Sequence, residues 1–587
     1  MLLALTAVET AHPESSRAME PMASHVPATL AEWAHDARLF SGLGDFHRRV
    51  TTSSALAQQY FDQGMRLLWA FNHDEATRSF AQAATLDPAC TACYWGIALT
   101  VGPNYNLPTI DAVRARVAFE ALDEGRQHVA VASPVEQALI GALAARYPRA
   151  EPPEADALAA ALSAYAAAMR EVAARFPDDL DVQTLCAEAE MNLHAWTLWR
   201  ADGQPAPGTR EIESRLEAVL RRDPNHPGAN HYYIHVMEAS PHPEAALAAA
   251  ARLPGMMPAA GHLEHMPAHI LQRVGRYEDA AEANRRAVRA DEAYLRAVAP
   301  PGYYAMYLGH NYAFLASSAA MEGRKAETLS AVQGLLQAAP LTMRLAMGDS
   351  GWGLTAQYAA LLRFGLWDEM IALAPPDEHA AGLTGGYYYG RGVALAARGR
   401  LAEAREELDA LRRIEQSGTT RDSATLERSL RMGADVVAAR IAATERRGTE
   451  AVTQLEQAVV EEDALPYDEP PVWFFPVRQL LGAQLLAEGR AAEAERVYRE
   501  DLRRNPANGW SLYGLEAALR AQGRSDAAAR VARELAAAWR HADVRLLASA
   551  FWFAGPDTTS CECQRQASGE RQPRGELLGP QHEARVD

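Results

Sequence analysis

One phrase returns five times along this 587-residue chain: GRYEDAAEANRRAV from Gly275, GRKAETLSAVQGLL from Gly323, GRLAEAREELDAL from Gly399, GRAAEAERVYREDL from Gly489 and GRSDAAARVARELA from Gly523. Each copy opens on a Gly-Arg turn and runs on with small and apolar residues at helical spacing. An alanine- and leucine-rich stretch usually precedes it. Asn-Pro or Asp-Pro closes the unit, as in DPACTACYWG, DPNHPGANHYY and NPANGWSLYG. Gly489 to Gly523, Pro224 to Pro258 and Ala246 to Ala280 each span 34 residues. A unit of helix, glycine turn, helix and proline cannot bury its apolar face alone and must stack on further copies of itself. An all-α array follows. Alanine tracts such as ALAAALSAYAAAMREVAARF (157–176) favour close helix packing and leave no room for a parallel sheet.

The spacing and residue types resemble the tetratricopeptide repeat (TPR), and FDQGMRLLWAFNHDEATRSFAQAATLDP (61–88) is similar to a nearly complete copy. The resemblance covers roughly residues 50–545, with longer spacers near 103–155, 196–212, 290–305, 412–432 and 463–476. It implies a right-handed superhelical solenoid of helix-turn-helix repeats, with the first helix of each pair lining a concave groove. The expected layout is an N-terminal arm (1–49), TPR-like repeats (50–195), central His-rich repeats (196–345), further helical repeats (346–465) and C-terminal repeats (466–545). A terminal segment (546–587) follows, expected to be disordered from about 555. The segments FNHDEA, HPGANHYYIH, GHLEHMPAHI and NPANGWSLYGL also resemble a bacterial group of long TPR proteins, a likeness that implies the fold and assigns no activity.

The net charge is −18, with acids spread along the chain and no Lys/Arg cluster. That argues against a nucleic-acid face. No phosphate loop or dinucleotide fingerprint is present, so no nucleotide cofactor is expected. The first residues, MLLALTAVETAHPESS, hold a short apolar run with no basic residue before it, at best a defective secretory signal. No run reaches the roughly 18 apolar residues of a membrane span, and the expected compartment is cytoplasmic or periplasmic. Among five cysteines, Cys90 and Cys93 form a lone CxxC, expected to be a buried or mildly redox-active pair rather than a metal knuckle. Cys561 and Cys563 lie in a polar terminal stretch.

Eight of the 18 histidines fall between His226 and His310. His231 and His235 are four residues apart and share a helix face, and His265 and His269 repeat that spacing one 34-residue repeat later. The equivalent stretch of the last repeat reads LEAAL (515–519), so the pairs are local to the centre. First helices of adjacent repeats lie about 10 Å apart, which brings four imidazoles together in the groove. His262 and His310 both stand 13 residues before a repeat glycine and join the set. Pro267 interrupts the second pair; the helix is expected to begin there, leaving His262 and His265 on the entering loop.

Imidazoles at i,i+4 form a clamp for a transition metal, copper first and then iron or zinc. His231, His235, His262, His265, His269 and His310 are the expected ligands, with His310 also a candidate proton carrier. Glu238 would orient a histidine or act as catalytic base, and Glu264 is a second candidate carboxylate. The residue after His231 is Tyr232, so the zinc-protease HExxH is absent. Softer candidates are His47, which could fold into the groove, and Tyr303, Tyr304 and Tyr307 leading to His310. His73, Asp74 and Glu75 are expected to cap a helix, and Trp473, Phe474, Phe475 and Arg478 to pack on the preceding repeat. Two functions compete: a metal-dependent oxidoreductase acting on a small molecule or peptide in the groove, and a non-enzymatic scaffold binding a peptide or protein partner.

Overall fold

The helices come in antiparallel pairs. In a computed structural model describing residues 26–298, 304–346, 350–376, 380–417 and 423–551, Ala55–Trp69 pairs with His73–Leu86, and Ala305–Met321 with Lys325–Ala338. Ala381–Ala397 pairs with Leu401–Gln416, Ala424–Thr444 with Gly448–Asp463, Val477–Ala487 with Ala491–Arg504, and Gly509–Ala521 with Ser525–Ala538. Successive pairs stack, giving the all-α, TPR-like solenoid. Among the described residues the only strand-like pairing is an isolated bridge, Trp199 to Pro205.

The turn glycines explain the hairpins. Gly275, Gly323, Gly399, Gly489 and Gly523 all take φ between +71° and +77°, a region open to glycine and costly for residues with a Cβ. The turn after Trp69 holds Phe71 instead, at φ +54°.

The solenoid does not leave an open groove over the histidines. Its C-terminal repeats fold back onto the central ones. A Cβ at Gly275 would strike the Pro506 carbonyl, and one at Gly323 the Trp539 ring. Trp510 Nε1 donates to the Ala320 carbonyl at 2.9 Å, and the Arg363 guanidinium lies 3.7 Å from the Trp510 ring centre. Asp543 accepts from the backbone N–H of Lys325 and Ala326 at 2.6 and 2.9 Å, capping a central helix. The 463–476 spacer lies across the centre, with Trp352 Nε1 bonded to the Val472 carbonyl at 3.0 Å and Tyr467 under Arg273.

Cys90 and Cys93 are buried and joined as a disulfide at the start of the Thr91–Thr100 helix, which leaves no thiolate for a metal. Burial pushes the Cys186 thiol up to about 12. The MLLALTAVETAHPESS run, Tyr303, Cys561, Cys563 and the tail from 555 lie outside the described residues. Among those described, Ala155–Arg175 alone is long and apolar enough to cross a membrane. It packs Tyr165, Ala166 and Met169 into the protein core.

The fold-back gives a stability test. Gly275→Ala and Gly399→Ala both place a Cβ in left-handed backbone, costing about 1–2 kcal/mol. Only Gly275→Ala also collides with Pro506, since nothing lies within 4 Å of a Cβ at Gly399. Gly275→Ala should lower the denaturation midpoint more than Gly399→Ala and open residues 463–551 to limited proteolysis. Equal effects would count against the interlock.

Candidate metal centre

Four helical segments carry the six histidines. Pro227–Glu238 begins with proline at its first position, and its first turn is capped by His226, whose Nδ1 accepts from Ala229 N–H at 3.0 Å. His226 Nε2 sits 3.0 Å from Asp181, so this histidine serves the cap. Gly228 lets the helix lie against Trp69, where a Cβ would enter the indole. Gly261–His265 is a short helix of its own, contrary to the loop expected there. Met266 keeps helical angles and donates to the His262 carbonyl at 3.0 Å. Pro267, which lacks an N–H to lose, starts the next helix, Pro267–Arg273. His310 lies in the second turn of Ala305–Met321.

All six histidines come together, in two sets of three. The ligand atoms of His231, His235 and His262 lie within 4.8 Å of one another, as do those of His265, His269 and His310. In the first set the Nε2 atoms of His231 and His262 are 3.1 Å apart. In the second, His265 Nε2 is 2.7 Å from His269 Nε2 and 3.0 Å from His310 Nε2. The sets adjoin: the His235 and His269 rings are 5.9 Å apart, as are those of His262 and His265.

The outer ring nitrogens are held by acceptors. His231 Nδ1 lies 2.6 Å from the Trp69 carbonyl, one of the orphan carbonyls at the end of the Ala55–Trp69 helix. His265 Nδ1 meets Asn284 Oδ1 at 2.7 Å, and His235 Nδ1 meets Glu238 Oε1 at 3.1 Å. Donation from Nδ1 leaves Nε2 as the bare nitrogen, and His235 Nε2 is buried without a hydrogen-bond partner. His269 Nδ1 faces two carboxylates, Glu238 Oε2 at 2.8 Å and Glu469 Oε2 in direct contact.

Two phenylalanines wall the sets. Phe71 lies nearly parallel to His235 and His262, with ring centres 5.6 and 5.5 Å away, and 4.5 Å from His231. Phe314 sits 5.1 and 5.2 Å from His265 and His269. Five of the imidazoles are at most 2% exposed. Burial holds His231, His262 and His265 well below the ordinary histidine range and His310 at about 3. These four are neutral near pH 7, the form that binds metal. Burial alone would also depress His269, but the charges of Glu469 and Glu238 outweigh it and lift the group to about 10. Burial opposes ionisation of Glu238 as well, yet His235 and His269 hold it at about 2.

A cavity of about 540 Å³ opens onto His235, His262, His269 and His310, between the central repeats and the 468–472 segment. Tyr307 and Trp352 stand in its wall; the Tyr307 ring is 4.7 Å from His262, and its hydroxyl accepts from Asn106 at 3.2 Å. A larger cavity of about 860 Å³ lies by Glu264, Arg286 and Tyr294.

Several expected residues fall elsewhere. Glu264 turns from the imidazoles to accept from Gly255 N–H and Arg286 Nε, both at 2.7 Å. Glu238 is enclosed by His235 and His269, where it holds their rings, rather than standing in the cavity wall. His47 pairs with Asp62 at 2.8 Å, half-exposed. Asn72, not the acids after it, caps the His73–Leu86 helix. Asp74 binds Arg114 at 2.7 Å, and Tyr304 donates to Asp291 at 2.8 Å. Trp473 packs on Trp352 and Tyr389, and Arg478 is engaged by Asp463 at 2.7 Å.

Phe71, Asn284, Phe314 and Glu469 are absent from the sequence reading. Two had a readable signal. Phe71 occupies a turn position where other copies have glycine, and Asn284 stands nine residues after Gly275, where other copies place the core residues Val332 and Leu408. Nothing near Glu469 marks it.

No protein-family profile and no curated protein matches the chain. Among solved structures, the human IFIT1 dimer with m7Gppp-AAAA is 12% identical over 76% of this chain and 90% of its own, with a TM-score of 0.31. Yeast Tom70 is 14% identical over 82% and 91%, at 0.25. The TPR domain of P58(IPK) is 14% identical over 57% and 93%, at 0.17. Likenesses this low say nothing of the site.

Asp291 ties the centre's helices together and gives a pH test. It accepts from Tyr304 and from Asn311, the neighbour of His310, at 2.8 and 2.7 Å, and it abuts Gly261. Burial raises its carboxyl to about 7 against the bonds from Tyr304 and Asn311. The folded state then holds a proton that the unfolded chain releases near pH 4. Stability from this group is present below that pH and is lost as pH rises to about 7, by about 1.4 kcal/mol per unit. Asp291→Asn cannot ionise, so urea unfolding at pH 5 and 7.5 should show the variant gaining on the wild type at the higher pH. Parallel pH dependences would refute this.

Proposed function

We propose that the six histidines hold two transition-metal ions, three imidazoles each, and that the protein is a metal-dependent oxidoreductase acting on a small molecule in the adjoining cavity. One observation carries the reading. Acceptors hold the Nδ1 atoms of His231, His235 and His265, so that their Nε2 atoms turn inward toward other imidazoles. Core histidines kept for packing alone would not share this arrangement, whereas outer acceptors that fix ring orientation are what metal-bound histidines require.

The donor set is imidazole without thiolate, which suits copper first, then iron or zinc; His269 must release its extra proton to join it. Copper or iron, when bound, would supply one-electron chemistry. The chain's own residues do the rest. Trp69, Asn284 and Glu238 orient ligands; Phe71 and Phe314 exclude water; His310, less buried than the others, stands at the cavity as ligand and proton carrier. The cavity size favours a small molecule or a single peptide side chain. The second reading, a non-enzymatic scaffold binding a peptide or protein, is supported by the TPR-like array itself; the imidazoles would then be structural.

Elemental analysis of untagged protein decides between them. At least two equivalents of copper, iron or zinc are expected in the wild type, and two fewer in a folded His231→Ala/His265→Ala variant, which breaks both trios. Asn284→Ala should keep the fold and weaken metal binding by roughly 10–100-fold. Wild-type protein that takes up no stoichiometric metal after reconstitution with each ion would overturn the proposal.

A further inference from the structure

Glu238 and Glu469 reach the same imidazole edge from segments 231 residues apart in the chain (469 − 238). Glu238 closes the Pro227–Glu238 helix, and Glu469 comes from the spacer that the C-terminal fold-back lays across the centre. Both are buried and both face His269 Nδ1. One ring nitrogen can direct only one hydrogen. Beyond that shared contact with His269, Glu238 Oε2 and both Glu469 oxygens are buried with no further hydrogen bond. Arg273 is close but occupied: its guanidinium donates to the backbone carbonyls of Glu238 and Ser240 and packs on the Tyr467 ring 5.3 Å away. Two carboxylates enclosed this way repel each other and have lost their water, and the single charge of His269 is shared between them, a costly arrangement that a further cation would relieve.

From this geometry we infer a third cation position, formed by Glu238, Glu469 and His269 Nδ1, whose ligand atoms lie within 4.8 Å of one another. Two carboxylates and one imidazole make a harder donor set than either histidine trio and suit divalent manganese, iron or zinc. Glu469 also lines the cavity, so a cation there keeps an open side for water or a ligand. Loading it displaces the Nδ1 proton to solvent. With the neighbouring trio also filled, His269 would give up its Nε2 proton to solvent as well and hold both ions as an imidazolate. The position does not depend on the six-histidine reading, because its other two ligands are carboxylates outside that set.

The test uses full-length protein and manganese(II) alone, followed by electron paramagnetic resonance and equilibrium binding. The His231→Ala/His265→Ala variant breaks both trios and keeps all three ligands of the third position. It should bind one equivalent of manganese, with nitrogen hyperfine coupling from a single imidazole. Adding Glu469→Gln, nearly the same shape, should weaken that binding at least tenfold, and circular dichroism confirms that each variant is folded. In otherwise wild-type protein, Glu469→Gln should lower total metal from three equivalents to two. A folded double variant that binds no manganese, or manganese affinity unchanged by Glu469→Gln, overturns the inference. If the wild type and Glu469→Gln both hold two equivalents, the third position fails and the histidine pair stands. If one manganese binds while the histidine equivalents are missing, the reverse holds.

Discussion

The fold-back of the C-terminal repeats onto the central turns is the contact on which the centre depends. Pro506 meets the Gly275 turn, Trp539 meets the Gly323 turn, and Trp510 joins Ala320 and Arg363. An open solenoid would leave its first-helix histidines in water, free to protonate singly. Phe71 and Phe314 wall them and the fold-back adds Glu469 beside His269; burial then leaves four imidazoles neutral, while His269 is charged because two carboxylates are enclosed with it. The same fold-back turns a repeat-lined groove into a bounded cavity and brings Glu469 across some 200 residues of chain to His269.

Within that enclosure, positions that break the repeat do the local work. Phe71 adopts left-handed backbone where five other copies use glycine, a strained choice for a bulky side chain that Arg446 alone repeats among the described hairpin turns. Its ring covers the first histidine set. Asn284 puts an amide into a helix-packing position and receives His265. Trp69 contributes through its carbonyl, left unpaired by the end of its helix, so an ordinary feature of helix ends fixes an imidazole. Gly228 lets that helix end and the His231 helix come close enough to meet. Repeat regularity builds the frame, and the departures from it cluster where polar chemistry is concentrated.

Charge explains why the two histidine sets differ. The first has a backbone carbonyl and one carboxylate on its outer edge. The second has an amide and two carboxylates. Glu238 touches one member of each, so any change at this carboxylate reaches both sets. The two sets are thus chemically distinct while being related by one repeat.

The sequence by itself determined the repeat, its all-α hairpins and the convergence of six histidines, because helical period and a 34-residue offset are local quantities that survive without coordinates. It also located Pro267 at a helix start. Only the tertiary structure decided that His262 and His265 stand on a helical turn, that Glu264 turns away to Gly255 and Arg286, and that Glu238 is enclosed between two imidazoles. Phe71 and Asn284 carried a signal as substitutions against the repeat pattern; Glu469 carried none. Its place is fixed by how the array curves back on itself, which depends on packing between helices hundreds of residues apart, and no spacing along the chain encodes that distance.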